Sequence, residues 1–203
     1  PAIMNRFSNL RDRSGKALAY EIHKDVHVAS NYGVPQFRRR FILVGRRKDA
    51  NLSWTAPAIE SGPNVGAALR DLPRIPAGHS KRELPYADKD DLSDYQALMR
   101  SGWLPDEDRK VLDHVCRSHQ EDDIELFRLM VRGARFADDS VQEAMRDINP
   151  KHHLLSYSKK DFQDKLHKLD SDRVSWTITA HLQKDSYKFI DYRQGRTISV
   201  REA

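Results

Sequence analysis

The chain has 203 residues, a formal net charge of +5, 32% charged and 38% hydrophobic residues, and one cysteine. That length suits one large domain or two small ones, and a single cysteine excludes an intramolecular disulfide and fits a reducing compartment. No apolar run reaches the roughly 18 residues of a membrane span and no signal-peptide pattern is visible, while a pI near 9.3 permits a nucleic-acid partner without demanding one.

The chain opens with "PAIMNRF" and closes with "RTISVREA", in which Ser199 and Glu202 form the S-x-x-E pattern of a capping box. Both ends therefore read as cuts within a longer protein. Residues 19–30 ("AYEIHKDVHVAS") alternate apolar and polar, and a loop marked by Gly33 and Pro35 leads into a strand over 38–46, which predicts an antiparallel pair. Phe41 to Val44 are expected to be covered on both faces. Strand alternation puts Gln36, Arg38 and Arg40 on one face and Arg39 on the other. Arginine there suits planar recognition of phosphate, carboxylate or a base edge. A solvated strand end held by salt bridges accounts for the same residues equally well.

Beyond Arg47 the composition changes. The stretch 49–87 holds most of the prolines, apart from a helix-like "VGAALRDLP" at 65–73, and places a domain boundary near residue 60. Helices are predicted over "DYQALMR", over 108–133, and over "SVQEAMRDI" with Ser140 and Glu143 as a capping box. Residues 159–170 put Phe162, Leu166 and Leu169 on one helical face. The chain then returns to strands at "VSWTITAHL" and "YKFIDY", joined by a turn around Lys184–Ser186.

His114, Cys116 and His119 lie close enough in sequence to suggest a metal, but helical spacing points them apart and no second Cys/His pair completes a tetrahedral site. The basic run Lys151, His152, His153, Lys159, Lys160, Lys165 and Lys168, with Tyr157 inside it, suits phosphate contact or simply a solvated face. Trp54, Trp103 and Trp176 are expected as core anchors.

"NYGVPQFRRRFILVG", with Gln36, Arg38 and Arg40, resembles the Q-x-R-x-R segment of cytosine-5 DNA methyltransferases. "WTITAHLQKDSYKFIDYRQGRTISVREA" is similar to a late motif of that family, including its R-x-[IL]-[ST]-V-R-E-A run at Arg196–Ala203. "VGAALRDLP" between them resembles the usual exit from the family's catalytic domain. The resemblance implies an α+β fold: the end of a doubly wound S-adenosylmethionine-dependent sheet over residues 1–59, then a mixed helical and β target recognition domain over 60–203. It implies that Gln36, Arg38 and Arg40 serve the catalytic pocket, where a flipped cytosine is attacked at C6 by a cysteine thiolate. DNA contacts are expected from Lys151, Lys159, Lys160, Lys165, Thr177, Thr179, Arg196 and Arg201, although a salt bridge at a helix start explains Arg201 and Glu202 more simply. The family's Pro-Cys nucleophile, its Gly-rich methyl-donor loop and its glutamate are all missing, and Cys116 sits in the recognition region. The implied parent is a monomeric bacterial modification enzyme acting on double-stranded DNA in the cytoplasm at the nucleoid. This stretch alone is expected to be inactive. A non-catalytic DNA-binding module and a helical protein-interaction domain are the alternatives.

Overall fold

The computed structural model describes residues 2–87, 91–101, 110–163, 165–179 and 187–203. The expected core Trp103 and the turn at Lys184–Ser186 lie outside them. The chain divides into two compact units, Pro1–Gly62 and Pro63–Ala203.

The first unit is built on one antiparallel pair. Strand β1 (Tyr20–Val28) and strand β3 (Arg39–Arg47) run in register from Tyr20 opposite Arg47 to Val28 opposite Arg39, as the alternating sequence predicts. A short helix α1 (Ala2–Ser8) precedes them and a two-residue strand β2 (Gln36–Phe37) lies in the connection. That connection turns at Gly33, whose φ of +79° is a left-handed value glycine adopts without strain. The returning chain passes so close that a Cβ on Gly62 would lie 2.7 Å from the Val34 carbonyl oxygen.

The expectation that Phe41 to Val44 are covered on both faces does not hold. Phe7 of α1 meets Tyr20 edge-on, and Trp54 lies 4.9 Å from the His23 ring. Those contacts leave Phe41 61% and Ile42 44% exposed. A two-stranded ribbon cannot enclose both of its own faces.

The second unit packs α4 (Glu121–Leu129) against α5 (Asp139–Ile148). Leu126, Phe127, Met130, Phe136, Val141 and Met145 fill that core, and Leu166 and Ile190 close it from the parallel strands β6 (Leu166–Lys168) and β8 (Tyr187–Ile190). A smaller cluster of Val65, Leu169, Phe189 and Ile198 seats α2 (Val65–Leu69). Helix α3 (Asp94–Arg100) follows a hairpin-like strand β4 (Glu83–Leu84), which pairs with β5 (Val111–Leu112). Ser93 and Gln96 form a reciprocal capping box at the start of α3, which fixes that boundary.

Several sequence expectations give way here. Residues 108–133 are not one helix; β5 and an extended run precede α4, whose first turn carries Glu121, Asp122 and Asp123, as the helix dipole favours. Ser140 and Glu143 do not cap α5, because Asp138 occupies the N-cap position and its carboxylate instead accepts from the Arg135 N–H at 2.8 Å. The helix expected over residues 159–170 is absent among the described residues, where turns over 159–163 and then β6 stand instead: pairing with β8 buries Leu166 and Lys168, and tertiary pairing overrides the helical spacing. Of the two late strands, β7 covers only Ser175–Trp176 among the described residues. No helix among the described residues is long and apolar enough to cross a membrane.

Candidate functional site

In the first unit, Gln36 lies half-buried in β2, and its Oε1 has no hydrogen-bond partner. Arg38 falls between β2 and β3, so the continuous alternation expected to align Gln36, Arg38 and Arg40 is interrupted there. Arg40 sits on β3 opposite His27, exposed, with Nη1 donating to the Arg39 carbonyl at 2.7 Å. An exposed guanidinium on a paired strand has its backbone held and its head available to a ligand.

In the second unit the lysine run separates into different roles. Lys151 and Lys160 are exposed, and Lys159 pairs with Asp139 at 2.7 Å near the start of α5. Lys165 sits 5.3 Å from the Tyr157 ring and 5.0 Å from the Phe162 ring, so Lys165 and the two aromatics form one patch. Lys168 is instead 5% exposed. Its Nζ donates to the carbonyls of Phe127 at 2.7 Å and Met130 at 2.8 Å, closing the C-terminus of α4. Burial lowers its pKa, partly opposed by Asp191. Thr177 is half-buried and Thr179 exposed, just beyond Trp176, whose ring is stacked 3.6 Å from His167 and 5.3 Å from Phe189.

The late motif folds inward. Arg196, expected among the DNA contacts, is 1% exposed. Its guanidinium holds Glu202 in a fork of 2.7 and 2.9 Å, reaches Asp191 at 3.1 Å, and donates to the carbonyls of Ile75 at 2.9 Å and Thr197 at 2.8 Å. With its donors committed inside the protein, Arg196 organises the loop rather than facing solvent. The Ser199 N–H donates to Glu202 Oε2 at 2.8 Å and the Glu202 N–H to Ser199 Oγ at 3.2 Å, so the S-x-x-E pattern makes both capping-box bonds, around a turn. Burial opposes the charged carboxylate of Glu202, but the Arg196 fork outweighs it and holds its pKa at about 2. Burial and the neighbouring Glu202 push Asp191 up instead. Arg201 is exposed and donates to Tyr86 Oη at 3.3 Å.

His114, Cys116 and His119 are each engaged separately on the extended run. His114 Nε2 donates to the Pro73 carbonyl at 2.8 Å, which leaves Nδ1 to accept from Ser199 Oγ at 2.7 Å. Cys116 is buried, and burial pushes its thiol pKa up; Sγ faces the Thr197 carbonyl at 3.4 Å. His119 Nε2 accepts from the Thr197 N–H at 3.2 Å.

Among the described residues, the ligand atoms that converge are those of Asp123, His152 and His153. The Leu154 N–H donates to His152 Nδ1 at 3.3 Å, so the proton of the neutral ring lies on Nε2, 3.5 Å from Asp123 Oδ1. His153 Nε2 lies 2.9 Å from the same oxygen, and Tyr187 Oη donates to Oδ2 at 2.6 Å. His153 and Tyr187 thus each bond one oxygen of the buried carboxylate without a cation, while His152 Nε2 is buried without a hydrogen-bond partner. Sequence reading passed over Asp123 and Tyr187, which are 64 residues apart; an aspartate in a helix's first turn gave no sign of a distant partner.

The resemblance implies S-adenosylmethionine, whose carboxylate suits free N–H groups at a helix start. The helix start that carries a glycine, at α2, is already filled: the N–H groups of Val65 and Gly66 donate to the carbonyls of Arg173 and Ser171 at 2.9 and 2.8 Å, and that of Ala67 to Asn64 Oδ1 at 2.7 Å. That helix start therefore leaves none of these three N–H groups free for S-adenosylmethionine.

The family model for C-5 cytosine-specific DNA methylases matches residues 13–203. The chain is 27% identical over 197 residues to the type II methyltransferase M.Bpa9945I of Bacillus paralicheniformis, covering 86% of the chain and 40% of that protein. It is 23% identical over 185 residues to the type II methyltransferase M1.HphI of Haemophilus parahaemolyticus, covering 91% and 38%. In fold, 90% of the chain matches 48% of a putative DNA modification methyltransferase encoded within a prophage in E. coli, with a TM-score of 0.58 at 18% identity. The chain thus spans about half the length, or less, of the relatives it matches. By the match over residues 13–203, it belongs to the C-5 cytosine-specific DNA methylase family.

Proposed function

We propose that this chain supplies target recognition and pocket arginines to a DNA (cytosine-5)-methyltransferase that flips its target base and methylates C5. The family match carries this reading, because it spans both Gln36-x-Arg38-x-Arg40 and the run from Arg196 to Ala203. In the proposal, residues 1–59 complete the doubly wound catalytic domain and residues 60–203 form the recognition domain. Arg40 and Arg38 approach the flipped cytosine, where an always-charged donor on a paired strand stabilises charge developing on the ring oxygen. Lys151, Lys159, Lys160 and Lys165 meet phosphates, and Thr177, Thr179 and Arg201 lie at the DNA edge of the unit. S-adenosylmethionine supplies the methyl group in the complete enzyme through residues other than those described above. The setting is double-stranded DNA in a bacterial cytoplasm.

A non-catalytic DNA-binding module is the second reading, favoured by Cys116. It is the one cysteine of the chain, and it is buried and held away from thiolate chemistry. The test is fluorescence anisotropy with a pool of random duplexes, followed by sequencing of the bound fraction and by methyl transfer from labelled S-adenosylmethionine. Enrichment of a short cytosine-containing site is the expected result. Failure to bind any duplex at low salt would refute DNA recognition. Methyl transfer by this chain alone would refute the division of labour.

A further inference from the structure

A cleft of about 420 Å³ in the second unit is lined by Arg74, Arg128, Arg193 and Arg196, with Gln194 and Gly195 between them. Its floor is rigid. Arg193 donates to the Leu69 carbonyl at 3.0 Å, and its side chain is only 10% exposed; Arg196 is pinned to Ile75 and Glu202. Two buried carboxylates, Asp191 and Glu202, serve those two floor arginines. Arg74, in the loop after α2, and Arg128, on α4, stand exposed at the rim, and neither has a carboxylate partner among the described residues. Arg193 Nε is buried without a hydrogen-bond partner, 3.7 Å from Asp191 Oδ1.

Gly195 brings the rim arginine into place. A Cβ there would stand 2.8 Å from Arg128 Cγ, 3.1 Å from Arg128 Nε and 2.7 Å from the Ile124 carbonyl oxygen, so the bare backbone lets the Arg128 stem lie across the loop. Convergent guanidiniums without local counter-charge repel one another unless an anion sits among them. Among the described residues, no aromatic ring lines the cleft to stack a base, and no acidic side chain lines it to hold a ribose hydroxyl.

We propose that this cleft is a phosphate-binding site, and that the phosphate it takes is a backbone phosphodiester of the bound duplex. The second half of that statement rests on the DNA reading given above; the first does not. Contacts of this kind position a protein on DNA without reading sequence.

Two measurements on the full chain judge the two halves separately. In the first, inorganic phosphate is titrated while the arginine Nε–H signals are followed by NMR. Saturable shifts at Arg74, Arg128 and Arg193, lost in Arg74→Ala/Arg128→Ala, are expected; no shift, or one that the double variant retains, overturns the site whatever DNA does. In the second, duplex affinity is measured from 50 to 200 mM salt. Losing that one phosphate contact should flatten the log–log salt slope by about 0.9, so the gap between wild type and the double variant should shrink roughly three- to fourfold over that range, equally for target and non-target duplexes. An unchanged slope alongside phosphate binding overturns the duplex assignment and leaves a free-anion site. If the wild type binds no duplex, the DNA reading falls, and the phosphate titration still decides the cleft. Both substitutions lie on exposed side chains, and an unchanged melting temperature verifies that the variants are folded.

Discussion

Replacing Glu202 by Gln tests whether the late motif is held together from within. Glu202 accepts two bonds from Arg196, at 2.7 and 2.9 Å, and one from the Ser199 N–H at 2.8 Å, with its side chain fully buried. A glutamine keeps the shape but turns one oxygen into an NH2, which must face a guanidinium or a backbone N–H: donor against donor. It also leaves Arg196 with Asp191 as its remaining buried carboxylate. The depression of the Glu202 pKa from 4.5 to about 2 corresponds to roughly 3 kcal/mol. That matches the roughly 3–5 kcal/mol typical of removing one partner from a buried ion pair. At a urea m-value of about 2 kcal/mol/M, the midpoint of tryptophan-monitored unfolding should fall by roughly 1.5–2.5 M. The pH dependence has a defined sign. A carboxylate whose folded pKa lies below its unfolded value stabilises fully above about 4.5, and that contribution is lost as pH falls towards 2. The gap between wild type and variant should therefore stay constant from neutral pH down to about 5.5 and narrow below 4.5. A midpoint shift under about 0.5 M at pH 7 would refute the account, as would a gap that widens in acid.

Other consequences follow from the same structure. Lys168→Met should lower stability by about 2–3 kcal/mol in urea titrations, because it strands two α4 carbonyls that a buried ammonium now satisfies. Burial, the largest influence on each, lowers His119 and His167 to about 4, below the 6.5 of the unfolded chain. The unfolded state therefore takes up protons first, and melting temperature should fall as pH drops from 6.5 towards 4. Discounted for partial exposure, the loss is of order 1 kcal/mol per histidine at pH 5, and a His119→Gln/His167→Gln variant should show a shallower pH profile. Leu126→Ala, at a position with no exposed surface, should cost about 2–5 kcal/mol. Arg40→Ala should change stability by no more than about 0.5 kcal/mol, since its guanidinium is exposed, yet reduce discrimination between duplexes with and without the target cytosine.

Local patterns were enough to determine the elements whose partners lie nearby in the chain. The β1–β3 pair follows from the alternation of residues 19–30 and the apolar run beyond the Gly-Pro loop, and α3 and α5 lie where the sequence predicts helices, although the Ser140 and Glu143 box expected at α5 does not form. The S-x-x-E pattern at Ser199 and Glu202 names its own hydrogen bonds, because both partners lie within one turn. Family membership was equally legible, since three segments that resemble the family's motifs stand in its order within one chain. Only the tertiary structure decided the rest. Leu166 to Lys168 have helical spacing but form a strand, because burial against β8 outweighs intrinsic preference. Lys168 belongs to a basic run by sequence, yet it is sequestered by carbonyls 38 and 41 residues away. Arg196 looks like a DNA contact until Asp191 and Glu202 enclose it on one side and Ile75 on the other. Whether a charge meets solvent, a carboxylate or a helix end depends on what distant segments bring to it, and one-dimensional spacing carries no record of those approaches.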